Sequence, residues 1–140
     1  MKPNDIETQT ARPAATILVV DDNPINLKLV SDLLAFEGYR VQKAVDGEKA
    51  AASVQEDPPD LILLDVDLPG IDGLTLTERL KSDRRTADII IVALTAFAMK
   101  GDRQRAMAAG CDGYVTKPID TRKLPNQIAQ LLQRRDEAKT

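Results

Sequence analysis

Four apolar runs of strand length each close on a residue that carries chemistry. Residues 17–20 (ILVV) lead into Asp21 and Asp22, residues 61–64 (LILL) into Asp65, residues 89–94 (IIIVAL) into Thr95, and residues 114–116 (YVT) into Lys117. A parallel sheet would bring the C-terminal ends of all four runs to one edge. In open α/β sheets that edge is where ligands bind. Three acids, one hydroxyl and one ammonium gathered there suit a divalent cation together with a phosphoryl group.

The spaces between the runs support that topology. Leu27, Val30 and Leu34 recur at i, i+3, i+7, and Gly38 follows as a stop signal. Residues 46–56 are Ala-rich and end before Pro58 and Pro59. Residues 73–82 carry Leu74, Leu76 and Leu80, and Leu124, Ile128, Leu131 and Leu132 give a last helical stripe. With a further short strand at residues 39–41 and a helix at 101–109, five strands alternate with five helices. This predicts a doubly wound α/β fold on a five-stranded parallel sheet. One domain is expected over residues 16–134, with a flexible tail at 1–15 and a short polar tail at 135–140.

Two helices read less cleanly. Residues 101–109 offer only Ala106, Met107 and Ala109 as apolar anchors, which suits a short surface helix or an element left loose so that it can move. Pro125 would fall at the fifth helical position if Asp120 were the N-cap, so the last helix is expected to begin late or irregularly.

Composition narrows the function classes. The chain has 140 residues and a net charge of −3, with no basic excess to suggest a nucleic-acid surface. A single cysteine, Cys111, excludes an internal disulfide and suits a reducing compartment. Neither a membrane span nor a secretory signal is visible, so a cytoplasmic domain is expected.

The segments VVDDNPINLKLV, LILLDVDLPGIDGL, IVALTAFAMKGD and AAGCDGYVTKPID together resemble the receiver domain of bacterial two-component response regulators. The resemblance covers nearly the whole chain and is nearest to stand-alone receivers of the cell-cycle type and receivers of hybrid kinases. It implies a flavodoxin-like strand order 2-1-3-4-5. It also implies that Asp65 is the phosphoacceptor, with Lys117, Thr95 and the Ala96 N–H binding phosphoryl oxygens. Asp22 and Asp65 would hold Mg²⁺ with the backbone carbonyl of Asp67, and Asp21 would act mainly through water. Thr95 and Tyr114 would be the paired switch residues, and Lys117-Pro118 a cis peptide. Asp67 and Phe97 occupy positions that the family uses to adjust phosphoryl lifetime, and Leu68 replaces a commoner Met.

Partners follow from the same resemblance. The chain contains no His, so the phosphohistidine donor must be another protein, a sensor histidine kinase or a histidine phosphotransfer protein. Docking is expected on the exposed side of the first helix around Asn26 and Leu27, and at Pro118 and Ile119. With few residues after Arg134, output is expected through a downstream protein bound by a monomer or a phosphorylation-sensitive homodimer, with no nucleic-acid or membrane partner. Two rival readings stay open. Asp65-Val66-Asp67 also fits the DxD nucleophile motif of haloacid-dehalogenase-type phosphatases, although the acid pair here precedes it and no cap domain is present. A phosphorylation-independent interaction module is the other.

Overall fold

The computed structural model describes residues 14–68, 72–96 and 100–139. Its elements alternate strictly: β1 (Thr16–Val20), α1 (Pro24–Phe36), β2 (Arg40–Ala44), α2 (Gly47–Glu56), β3 (Leu61–Asp65), α3 (Gly73–Ser82), β4 (Ile90–Thr95), α4 (Lys100–Ala109), β5 (Gly113–Thr116) and α5 (Leu124–Lys139). All strand pairs are parallel, in the order β2-β1-β3-β4-β5 that the receiver resemblance implies.

Alternation along the strands divides the core in two, because successive side chains point to opposite faces. Ile17 and Val19 of β1, with Leu61 and Leu63 of β3, face α1 and α5 through Leu27, Val30, Leu34, Leu124 and Ile128. Leu18, Val20, Ile62 and Leu64 face α2, α3 and α4 through Ala50, Val54, Leu76, Leu80 and Ala106. Every residue of β1, β3 and β4 is buried. Burial on both faces is why these strands read as unbroken apolar runs rather than alternating ones.

Local signals fix the helix ends at the site edge. Asn23 caps α1, its side chain accepting the N–H groups of Ile25 and Asn26, with Pro24 as the first helical residue. Asp46 and Asp72 cap α2 and α3 by accepting from the Lys49 and Thr75 N–H groups. At the far end of α1, Gly38 sits at φ +98°, the Gly38 N–H donates to the Ala35 carbonyl and the Tyr39 N–H to that of Leu34. This paired closure needs a left-handed residue, which glycine supplies without a Cβ penalty.

Two sequence expectations shift and a third holds. The second strand runs to Ala44 instead of ending at Val41; as an edge strand it carries the polar Gln42 and Lys43, which hide it from an apolar-run reading. The last helix does begin late: a turn at residues 121–123 precedes it, and Pro125 becomes its second residue, where a missing N–H costs no ladder bond. It also continues past Arg134 to Lys139, so residues 135–139 are helical, not a tail. Arg135 explains the extension, since its Nη1 reaches the Asp60 Oδ1 at 3.2 Å while Asp60 Oδ2 accepts the Thr16 N–H at 2.7 Å. The expected tail at 1–15 lies almost wholly outside the described residues.

Candidate functional site

The C-terminal ends of β1, β3, β4 and β5 meet at one edge, and each delivers its side chain there. Asp21 and Asp65 are buried to 1% and 2% exposure, Thr95 to 2%, while Asp22 is exposed. One carboxylate oxygen from each of Asp21, Asp22 and Asp65 lies within 4.8 Å of the others. Lys117 extends into this cluster from the end of β5. Its Nζ donates to Asp65 Oδ2 at 2.8 Å and stands 3.8 Å from Asp21 Oδ2. Lys117 is itself placed by its backbone N–H, which donates to the Thr95 carbonyl at 2.7 Å, and by the cis Lys117-Pro118 peptide that follows.

Asp65 is held at both oxygens. Oδ2 takes the Lys117 ammonium, and Oδ1 accepts the Asp67 N–H at 2.9 Å. The chain behind it is equally confined. The Val66 N–H donates to the Leu94 carbonyl, and Gly73 at the start of α3 packs so close that a Cβ there would sit 2.6 Å from Val66 Cα and 2.8 Å from the Asp65 carbonyl oxygen. Only a residue without a side chain permits this approach.

Asp21 is satisfied on one side alone. Its Oδ1 accepts the Asn23 N–H at 2.9 Å, whereas the buried Oδ2 has no hydrogen-bond partner. Burial pushes the Asp21 carboxyl above the usual carboxylate range; the Asn23 N–H and Lys117 oppose that shift, and the charges of Asp65 and Asp22 add to it. For Lys117, burial pulls the ammonium down. The Asp65 hydrogen bond and the charges of Asp65, Asp21 and Asp67 outweigh burial and hold it above its usual value, so the cation persists at neutral pH. An unpartnered buried oxygen, clustered with two further carboxylates, is a hard-oxygen donor set that can hold a metal ion.

Beside this cluster lies a cleft of about 40 Å³ shared by Asp67, Leu74, Thr95, Arg105, Ala106 and Tyr114. Thr95 and Tyr114, the expected switch pair, thus line one space, on neighbouring strands in which Thr95 pairs with Thr116 and Tyr114 with Ala93. Ala96 follows Thr95 and is exposed. Phe97 lies outside the described residues. Of the expected docking residues, Pro118 is exposed, and Asn26 and Ile119 are half-buried. Leu27 is not on the exposed side of α1: it belongs to the core, because the same i, i+3, i+7 phase that places Val30 and Leu34 inward places Leu27 with them. The exposed large apolar side chains of α1 are Ile25, Leu29 and Phe36. Two neighbours of the site escaped sequence reasoning. Gly73 was hidden as an ordinary helix-start residue, and Arg105 as one charge on a polar helix.

A parallel sheet of this order, with a confined aspartate ending β3 between an acid pair and a lysine, defines a receiver. The chain belongs to the response regulator receiver domain family, which it matches over residues 17–129. It is 39% identical over 117 residues to the polar-differentiation response regulator DivK of Brucella ovis, a match covering 84% of this chain and 95% of that protein. It is 44% identical over 120 residues to the DNA-binding dual master transcriptional regulator RpaA of Synechocystis sp., covering 86% of this chain but 50% of RpaA, so it spans half the length of that relative. Among solved structures it resembles the receiver domain of sensor histidine kinase PA1611 from Pseudomonas aeruginosa PAO1, described with a magnesium ion coordinated in its active site cleft. That match has a TM-score of 0.74 at 34% identity and covers 87% of this chain and 97% of that one. Among the described residues no helix is long and apolar enough to cross a membrane.

Proposed function

We propose that the chain accepts a phosphoryl group on Asp65 from a phosphohistidine donor protein and thereby switches a surface that regulates a partner. It acts as a regulated phosphoacceptor, not as a turnover enzyme. The observation that carries this reading is the seating of Asp65: a buried carboxylate, oriented by the Asp67 N–H at 2.9 Å and the Lys117 ammonium at 2.8 Å, at the sheet edge where ligands bind. The reaction forms a bond between an Asp65 oxygen and phosphorus and breaks the donor's phosphorus–nitrogen bond, and the donor imidazole departs with a proton.

Each neighbour has a role in that transfer. Lys117 already touches the carboxylate and would follow the incoming phosphoryl oxygens, and the Thr95 hydroxyl and Ala96 N–H would take others. The side chains of Asp21, Asp22 and Asp65 would hold Mg²⁺, in keeping with the magnesium named for the PA1611 receiver. The ion supplies charge neutralisation where four negative groups would otherwise meet. The donor is a histidine kinase or histidine phosphotransfer protein. Its docking surface comprises the first turn of α1 at Asn26 and Ile25, and the loop at Pro118 and Ile119.

A small-molecule phosphodonor tests the assignment without knowledge of the kinase. Wild-type protein incubated with acetyl phosphate and Mg²⁺ should acquire one phosphoryl group, and Asp65→Asn should acquire none. Labelling of the Asn variant at the wild-type rate and stoichiometry would remove Asp65 from the role.

A further inference from the structure

The cleft beside Thr95 holds a charge that the phosphoacceptor reading leaves unused. Arg105 comes from α4, a weakly anchored helix: among its described residues, only Ala106 is buried. The C-terminal end of α4 is nevertheless pinned. Gly110 at φ +111° closes the helix, with the Cys111 N–H donating to the Ala106 carbonyl and the Gly110 N–H to that of Met107. Just beyond, Asp112 Oδ2 accepts Lys81 Nζ at 2.8 Å and the Ile91 N–H at 2.9 Å, and Lys81 Nζ also donates to the Ile89 carbonyl at 2.7 Å. The far end of α4 is therefore tied to α3 and β4. Nearer the site, α4 meets the molecule through Arg105 and Ala106 at the cleft they share with Asp67, Thr95 and Tyr114.

We infer that Arg105 is a positioning residue that transmits charge at Asp65 to helix α4. Arg105 and Asp67 both line this cleft, whose volume of about 40 Å³ has room for a few waters. A phosphoryl group on Asp65, two residues from Asp67, replaces one negative charge with about two and brings three acceptor oxygens. Arginine stays charged and presents five donors, so the new charge draws Arg105 and the helix that carries it. A phosphoryl group shifts α4 only by what it contacts differently in the two states, and Arg105 supplies such a contact independently of the Thr95 hydroxyl. This coupling rests on the phosphoacceptor reading above.

The test uses the full chain with Mg²⁺ and beryllofluoride, a mimic of aspartyl phosphate. Bound fluorine resonances report occupancy of Asp65, and amide shifts of residues 103–110 report α4. Arg105 is exposed, so Arg105→Gln and Arg105→Lys both leave the core intact. All three proteins should bind beryllofluoride. Arg105→Gln should lose most of the α4 shift, Arg105→Lys should keep a substantial part, and the wild-type shift should shrink at high salt, as a charge-borne effect must. A full wild-type shift in Arg105→Gln, or equal loss in Gln and Lys variants without salt dependence, overturns the inference while the bound fluorine signal leaves the phosphoacceptor reading standing. Wild-type protein that fails to bind beryllofluoride overturns both.

Discussion

Asp21→Asn removes one charge and keeps the shape of the side chain, and the structure gives the sign and size of its effect. Asp21 is 1% exposed, and its Oδ2 has no hydrogen-bond partner while facing Asp22 and Asp65. An asparagine amide placed there donates to those carboxylates, and its oxygen still accepts the Asn23 N–H. Relieving a buried unsatisfied group is worth about 1–3 kcal/mol. The lost attraction to Lys117 at 3.8 Å subtracts from this, although Lys117 keeps Asp65 at 2.8 Å. A net gain of about 1–2 kcal/mol in metal-free protein should raise Tm by roughly 3–10 °C for a domain of this size. Because burial raises the folded-state pKa of Asp21 above its ordinary 3.8, the fold favours the protonated carboxyl; that contribution is fully present below the ordinary value and is lost as pH rises through the higher folded pKa. The advantage of Asp21→Asn should therefore be small near pH 4 and grow toward pH 7. Millimolar Mg²⁺, which binds the folded carboxylate set, should stabilise wild type far more than the variant and close the gap. Thermal melts in EDTA and in Mg²⁺ across this pH range are the assay. An Asn variant less stable than wild type in EDTA at pH 7, or a gap that does not change with pH, would refute the reasoning.

Two further substitutions separate scaffold from switch. Gly73→Ala forces a methyl to 2.6 Å from Val66 Cα, against backbone that cannot swing aside, so it should cost about 1–3 kcal/mol in chemical denaturation; unchanged stability would show that α3 is not packed on the Asp65 loop. Thr95→Ala leaves Asp65, the acids and Lys117 in place, so it should still bind beryllofluoride while losing much of the amide shift at Tyr114 and along residues 103–109; wild-type shifts there would move the signal to another element.

Legibility in the sequence followed burial. The strands that end on Asp21, Asp65 and Thr95 were readable because two covered faces demand unbroken apolar runs, and the chemistry begins where the runs stop. Edge strand β2 was placed too early because Gln42 and Lys43 interrupt its pattern. Leu27 was assigned both to the buried stripe of α1 and to its docking side, and the helical phase allows only the first. The extension of α5 depends on Arg135 meeting Asp60, an ion pair across 75 positions that no local pattern announces. Gly73 and Arg105 were invisible for the same reason: what matters about each is the neighbour brought to it by the fold, Val66 for one and the Thr95 cleft for the other.

The central claim is that the phosphoryl group resides on Asp65, and borohydride trapping reads it directly. An aspartyl phosphate is an acyl phosphate, which borohydride reduces to homoserine, whereas a free carboxylate and phosphate esters of serine or threonine are left unreduced. Protein treated with acetyl phosphate and Mg²⁺, reduced, digested and sequenced by mass spectrometry should carry homoserine at position 65, and EDTA should abolish it. Homoserine at Asp21, Asp22 or Asp67 instead, or none anywhere in protein shown to be phosphorylated, would contradict the account.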